Sequence, residues 1–310
     1  MPLQGPGPVR FVRTVSARSN VSLYNIAKGG LTVPSVSPCP ESALFAPSMP
    51  RALYTIAALT GREILKFVRD RSRLLGVLVQ PLAFWILLGL GFQGTFQMPA
   101  GTTAGVGYVE FLFPGVLALV LLFTAIFSTI SIVEERTSGF LQAVLIAPAP
   151  RIALVFGNAL GGTALATGQA ALFLVALPLL GVGPTVGGVA FMIGICLLVG
   201  LAFTALGFTI AWRMDTTRGF HAVMNLFLLP LWFLSGALFP AEGAAPVLRA
   251  LVWANPVSYA VSGLRSGMYS FAPDAPAVLV APSTALAVSA GFTLLMLAAA
   301  VWTVKRPFFE

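Results

Sequence analysis

The order of apolar and polar positions divides the chain into long uncharged runs separated by short charged stretches. Phe111–Val133 and Ile152–Leu180 contain no charged residue. Each is long enough to cross a bilayer, which takes about 20 apolar residues in a helix. Four further runs predict spans: Leu74 to about Phe92, about Val189–Ala211, Ala222–Phe239 and Ala281–Val304. Ahead of the first, Arg62, Lys66, Arg69 and Arg73 recur at spacings of four, three and four and form one face of a helix. Leu53, Ala57, Ile64 and Val68 form another, so residues 51–73 predict an amphipathic helix lying on an anionic leaflet. Between spans five and six, Pro246, Asn255-Pro256, Pro273 and Pro276 break the apolar pattern into pieces too short to cross. Two of them, Val247–Trp253 and Val257–Gly267, predict half-helices dipping in from the outer face, where irregular backbone must be buried in protein or line a wet cavity. The expected fold is therefore all-α and integral to the membrane, with residues 74–310 forming a six-helix domain.

Composition agrees: 57% of residues are hydrophobic and 9% charged, against about 25% charged in soluble domains. The net charge of +8 reflects orientation rather than nucleic-acid binding. Eleven Lys and Arg residues (Arg62, Lys66, Arg69, Arg71, Arg73, Arg136, Arg151, Arg213, Arg218, Lys305 and Arg306) flank the spans on one side, and two (Arg249 and Arg265) on the other. The first side is then cytoplasmic, with both termini inside. Residues 1–50, rich in Ser, Pro and Arg with no acid before Glu41, predict a disordered tail or a targeting segment, or a stretch upstream of a true start at Met49. Cys39 and Cys196 lie at different depths and predict free thiols. His221, the only histidine, reads as a solvated loop residue, which leaves no metal cluster and no hydrolytic triad.

The apolar runs exclude some chemistry. None holds Asp, Glu, Lys, Arg or His, which argues against an ion-coupled carrier, since such carriers place ionisable groups at membrane depth. None of the three lysines follows a glycine, so no phosphate-binding loop is present. Directional transport would have to draw its energy from another polypeptide. The stretch EERTSGFLQAVLIAPAPR, from Glu134 to Arg151, suits such a connection. It predicts a short amphipathic segment, Phe140–Ile146, preceded by acidic residues placed in its first turn, where the helix dipole favours them. An ordinary solvated loop with the same acidic start is the alternative.

Three motifs carry a resemblance: EERTSGFLQAVLIAPAPR, FLSGALFP at Phe233–Pro240, and ANPVSYAVSGLR at Ala254–Arg265. In this order and spacing, over about Arg51–Arg306, the chain resembles the membrane subunit of ATP-binding-cassette exporters of the type-2 class, in the branch of daunorubicin-resistance and nodulation-signal export permeases. The resemblance implies a homodimer, or pairing with a sister permease, and two cytoplasmic ATPase subunits that hold the ATP and Mg, this chain binding no cofactor. It implies a coupling helix over Glu134–Leu145, with Glu134, Glu135 and Arg136 as polar contacts and Phe140, Leu141 and Leu145 as an apolar plug. Gly139 would allow the bend, and Pro148 and Arg151 would fix re-entry to the membrane. Arg62, Lys66, Arg69 and Arg73 would lie on the connecting helix, either as contacts to the ATPase or as positive flanking charge.

A pathway near spans two and five is also implied, and Phe113, Phe127, Phe227, Trp232 and Phe233 are its candidate lining, with lipid-facing or core packing as the alternative. Asn255, Pro256, Tyr259 and Arg265 would form an extracellular gate or, equally, caps and turns of the broken helices. The implied activity is export of amphipathic, lipid-like, drug-like or glycan cargo across a bacterial inner membrane, or an organelle membrane if residues 1–50 direct it there. A secondary carrier or a non-catalytic membrane scaffold is the alternative. Gly157 and Gly161 form a small-xxx-small pair expected to pack within one subunit.

Overall fold

The computed structural model describes residues 51–69, 71–92, 107–139, 151–240, 244–272 and 278–305. The tail 1–50 and the segment 140–150 lie outside the described residues, as do the side chains of 71–78. The described residues form ten α-helices and one 3-10 turn, and no strand among them. In chain order the helices are α1 (Arg51–Arg69), α2 (Arg71–Phe92), α3 (Tyr108–Ser128), α4 (Ile130–Thr137), α5 (Arg151–Leu174), α6 (Val186–Ala211), α7 (Thr217–Phe233), α8 (Pro246–Ala254), α9 (Pro256–Met268) and α10 (Pro282–Lys305). A 3-10 turn at Leu177–Leu180 extends α5.

α3 is the centre of the bundle. Its sequence is apolar on all sides, and a helix without a polar face is stable only when surrounded. Nearly every residue from Tyr108 to Ser128 is buried accordingly. α2, α5, α6 and α9 pack around it, while α10 closes the far side against α6 and α9. α3 and α4 are almost one helix, parted by a single turn residue at Thr129. Three hydroxyls bond back to carbonyls three residues earlier there: Ser128 to Ala125, Thr129 to Ile126 and Ser131 to Ser128. Such back-bonding competes with the helix ladder and bends it.

Four helical stretches are long and apolar enough to cross a membrane: Tyr108–Thr137, Arg151–Leu180, Val186–Ala211 and Pro282–Lys305. The expected first and fifth spans appear as α2, of 22 residues, and α7, of 17. α7 differs from its expected bounds. It starts earlier, where the Thr216 hydroxyl accepts the Gly219 amide at 3.2 Å, and it stops at Phe233 rather than Phe239. Gly236, at φ +71°, turns the chain instead, a conformation that glycine adopts without a Cβ clash. Trp232 anchors this end: it is fully buried, and its indole N–H donates to the Gly115 carbonyl of α3 at 2.7 Å. Trp232→Phe keeps most of the packing but removes that buried inter-helix hydrogen bond. Thermal unfolding in detergent should show a loss of about 1–2 kcal/mol, with the fold retained.

Helices approach closely where side chains are small. Gly157 and Gly161 of α5 face Leu59 and Glu63 of α1, so this pair packs inside the subunit. Thr60 of α1 donates to the Gly157 carbonyl at 3.1 Å. Gly162 meets Ser128 and Thr204, and Gly207 meets Thr129, which brings α3, α5 and α6 together. Polar side chains inside the bundle find one another: the Thr124 hydroxyl bonds to the Gln169 side-chain oxygen, and Thr293 donates to Leu198 O at 2.9 Å.

Candidate functional site

The charged residues just before segment 140–150 do not stand apart. Glu134 and Glu135 come to α1: Lys66 Nζ lies 2.9 Å from Glu134 Oε2, and Arg62 Nη2 lies 2.6 Å from Glu135 Oε1. Arg62 also reaches Glu63 of its own helix at 2.8 Å. Arg136 turns the other way, towards the loop between α6 and α7, where it pairs with Asp215 at 3.1 Å and donates to the Trp212 carbonyl at 3.1 Å. The end of α4 is thereby pinned from both sides. The pairs differ in weight. Lys66 and Glu134 are each more than two-fifths exposed, and exposed pairs add little. Arg62 sits between two largely buried carboxylates, Glu63 at 6% and Glu135 at 15% side-chain exposure. Burial works against the charge on Arg62, but Glu135 and Glu63 outweigh it and hold its pKa above the ordinary guanidinium value.

One expectation is corrected at this junction. Glu134 and Glu135 are not in the first turn of a helix: they occupy the last turns of α4, which Ser138 caps through its N–H to Glu134 O at 3.0 Å. The dipole there disfavours negative charge, and Arg62 and Lys66 offset it. The cause is continuity, since α3 runs on into α4 and carries the acids at its end. Gly139, at φ +76°, then takes the left-handed conformation that ends many helices. α1 also buries a stripe against the bundle that differs from its expected membrane face. Leu53, Ala57 and Val68 are exposed and Ile64 only half-buried, whereas the stripe packed on α5 runs through Leu59, Glu63 and Phe67. The glycines of α5 select that stripe because they let α1 come close. Lys66 and Arg69 are exposed, Arg151 is exposed at the start of α5, and Arg73 falls on α2, its side chain outside the described residues. Phe140, Leu141, Leu145 and Pro148 lie outside the described residues as well.

At the other end of α3, Asn255 caps α9. Its Oδ1 accepts the Val257 N–H at 2.9 Å, and its Nδ2 donates to Leu231 O of α7 at 2.6 Å. Pro256 takes the first helical position, where a missing N–H costs nothing. The Tyr259 hydroxyl donates to Trp253 O at 3.0 Å, which ties α9 back to α8. Arg265 is buried, at 4% exposure, with its guanidinium 4.2 Å from the centre of the Phe111 ring. Arg62 and Arg265 thus stand near opposite ends of one 30-residue helical stretch, about 45 Å long. The five aromatics do not share one surface. Phe113 and Trp232 lie in the core, Phe127 packs half-buried against Phe123, Phe220 and His221, and Phe227 and Phe233 are exposed on α7.

A 30-residue apolar rod that ends in a pinned charged cluster, with two short broken helices at its other end, is accompanied by a direct match in sequence. The ABC-2 type transporter model matches residues 54–269, well over half of the chain. The chain belongs to this family. The match runs from α1 through α9 and so takes in both ends of α3. Curated relatives agree. The chain is 29% identical over 214 residues to the putative transport permease ycf38 of Porphyra purpurea, covering 68% of this chain and 72% of that one. It is 31% identical over 204 residues to nodulation protein J of Sinorhizobium fredii, covering 64% and 74%. With the probable multidrug ABC transporter permease YbhR of Escherichia coli it shares 26% over 157 residues, or 49% and 42%. It is accordingly an integral membrane permease.

Three members of the charged junction of this ABC-2 permease escape a reading of its sequence: Glu63, Asn158 and the Trp212 carbonyl. Glu63 sits beside Arg62 and is masked by the basic periodicity. Its true stripe, Leu59–Glu63–Phe67, has the four-residue spacing of Gly157 and Gly161, which is the signal that could have paired the two helices. The Trp212 carbonyl is a backbone group and leaves no mark in the sequence.

Proposed function

We propose that this chain is the transmembrane subunit of an ATP-driven exporter, working with a separate ATP-binding-cassette ATPase on the cytoplasmic side. One observation carries it. The rod formed by α3 and α4 leaves the apolar bundle as a charged end tied to α1 and to the α6–α7 loop, immediately before segment 140–150. A foot tethered to two other elements of the bundle passes a push from outside to both of them, which is what a subunit without its own nucleotide site requires. ATP-driven closure of two ATPases would shift each foot and switch a paired permease between inward and outward states. Segment 140–150 supplies the plug residues Phe140, Leu141 and Leu145, and α1 is the connecting helix.

In this account α2 and α7 bring the spans to six, α8 and α9 are half-helices entering from the outer face, and Asn255, Pro256, Tyr259 and Arg265 brace that outer end. The exposed Phe227 and Phe233 of α7 face the partner protomer or the pathway. Support for export of amphipathic, drug-like, lipid-like or glycan cargo comes from relatives whose names refer to nodulation and to multidrug transport. A relative named as an inner membrane transport permease in Escherichia coli, 24% identical over 218 residues, supports a bacterial inner membrane.

The test is capture from detergent-solubilised membranes. Wild-type chain should co-purify with a polypeptide that carries a phosphate-binding loop, and Leu141→Asp with Leu145→Asp should abolish that capture while leaving membrane insertion intact. Undiminished capture by the double variant would remove the docking role. Uphill uptake of cargo by the permease alone in proteoliposomes would favour the secondary carrier instead.

A further inference from the structure

Of the Asn and Gln side chains described within the helices, Asn158 and Gln169 of α5 are buried, and Asn225 of α7 is exposed. No hydrogen bond ties the Asn225 side chain to another described residue. Its depth follows from the packing of α7 on α3. The two helices run antiparallel, with the Trp232 indole donating to Gly115 O at 2.7 Å and the Phe220 ring 6.5 Å from that of Phe127. Asn225 is seven residues from Trp232 and five from Phe220, which puts it level with Leu122 of α3. Leu122 in turn stands twelve residues from both Glu110 and Glu134, the nearest charges along the rod, or about 18 Å from each. The amide therefore lies near the middle of the bilayer.

α7 rests on α3 by one stripe, Phe220, Met224, Leu228 and Trp232. Asn225 lies on the flank of that stripe, four residues from His221, whose ring packs 5.0 Å from Phe127. Between Phe111 and Val133 the rod formed by α3 and α4 is buried except at Thr129's neighbours along this flank, Phe123 and Phe127, which pack on each other at 5.6 Å. The bundle is thus open along this line, and the opening carries a polar group where acyl chains offer neither donor nor acceptor. The outward face of α10 gives the contrast. There Leu286, Leu294 and Leu295 are exposed while Ser289, Thr293 and Thr303 turn inward, as contact with lipid requires.

A carboxamide holds both donors and an acceptor, so two copies of the same residue complete each other. Around a two-fold axis each NH₂ donates to the other's carbonyl, in an isologous contact. We propose that this flank of α7 is the seam between two copies of the chain, closed at mid-membrane by Asn225 paired with its counterpart and lined by Phe123 and Phe127. The inference rests on the reading of the chain as a paired permease with α7 as a span. It adds that the two chains are identical, and where they join.

The test is cross-linking in native membranes. In a Cys39→Ser, Cys196→Ala background, Asn225→Cys should give an iodine-dependent dimer of this chain, whereas Leu294→Cys on the outward face of α10 should give none. The strength of pairing is read by single-molecule photobleaching of the permease diluted in lipid vesicles. Asn225→Leu should need about 3- to 30-fold more protein per lipid to reach the same dimer fraction, the range for a hydrogen-bonded contact between membrane helices. Asn225→Gln should restore most of it. A dimer that Asn225→Cys does not cross-link, or that Asn225→Leu leaves as tight as before, overturns the proposal and leaves the paired permease standing. So does reaction of the Asn225→Cys thiol with a water-soluble maleimide, which would set the amide on a wet pathway. Complexes captured from native membranes separate the two failures: one permease chain per complex removes the paired reading itself, and a second, different permease removes only the seam.

Discussion

Gly188→Ala is expected to abolish the folded permease. Gly188 opens α6, and a Cβ placed on it would fall well inside contact distance of the Gly267 carbonyl oxygen in α9. The contact is mutual, since a Cβ on Gly267 would lie 2.8 Å from Gly188 O and 2.6 Å from Met192 Cγ. Backbone cannot move aside as a flexible side chain can. This end of α6 is fixed in two more ways: the Thr185 hydroxyl caps it at Gly188 N, 3.2 Å away, and the Thr185 amide donates to Ser270 Oγ at 2.8 Å. Ser270 and Phe271 both take left-handed backbone, at φ 53° and 64°, to turn out of α9. One added methyl must separate the two helices or distort this turn, a cost at the top of the overpacking range or above it, about 3 kcal/mol or more. Size-exclusion chromatography of fluorescently tagged protein should show loss of the monodisperse peak. Gly187→Ala is the control. Its Cβ would meet only Thr185 Oγ1, at 4.0 Å, and higher helix propensity should leave it neutral or better by up to about 1 kcal/mol.

Much of the helical layout follows from local rules, and the departures have identifiable causes. The uncharged runs Phe111–Val133 and Ile152–Leu180 are helices because a continuous apolar stretch of that length allows little else. The break at Asn255-Pro256 is there because asparagine caps and proline starts a helix, and two short helices meet at that point. What local rules miss depends on partners distant in sequence. α7 ends at Phe233 because Gly236 turns the chain, while the run of apolar letters continues to Phe239. Glu134 and Glu135 look like the start of a new helix, but α3 runs through to them and its bend at Thr129 does not stop it. The packed stripe of α1 is set by glycines 98 residues further on, as Leu59 against Gly157 shows. Positive residues near the spans were legible as charge. That Arg62 joins two carboxylates, one its neighbour and one on α4, emerges only once α1 is laid on α5.

Arg265→Met is the second large effect, and it acts at the other end of α3. Arg265 lies on α9, and its Nη2 donates to Gly236 O at 2.9 Å and to Phe111 O at 3.5 Å while the guanidinium stacks over the Phe111 ring. One side chain thus holds three elements together: α9, the first turn of α3, and the turn after α7. A methionine fills a similar volume and keeps the apolar contacts, but two buried carbonyls lose a charged donor. Each such loss carries about 1–3 kcal/mol, so the variant should be destabilised by about 2–4 kcal/mol, more than Trp232→Phe. Lysine is not a conservative rescue here, because its point charge cannot serve both acceptors as a planar fork does. The chain supplies its own reporter. Cys196 is a free thiol buried in α6, and in a Cys39→Ser background it is the only thiol left. Its reaction with a thiol-sensitive dye during heating should occur at a clearly lower temperature in Arg265→Met and in Arg265→Lys than in the parent. An unchanged unfolding temperature would mean that Arg265 is not the brace of this end. A lowered one alongside undiminished Arg62–Glu135 pairing, read by cysteine cross-linking between α1 and α4, would show that the two ends of the rod are held independently. The Arg265 end of α3 could then rearrange while the junction of α4 with α1 keeps its grip, as the proposed coupling along α3 and α4 requires.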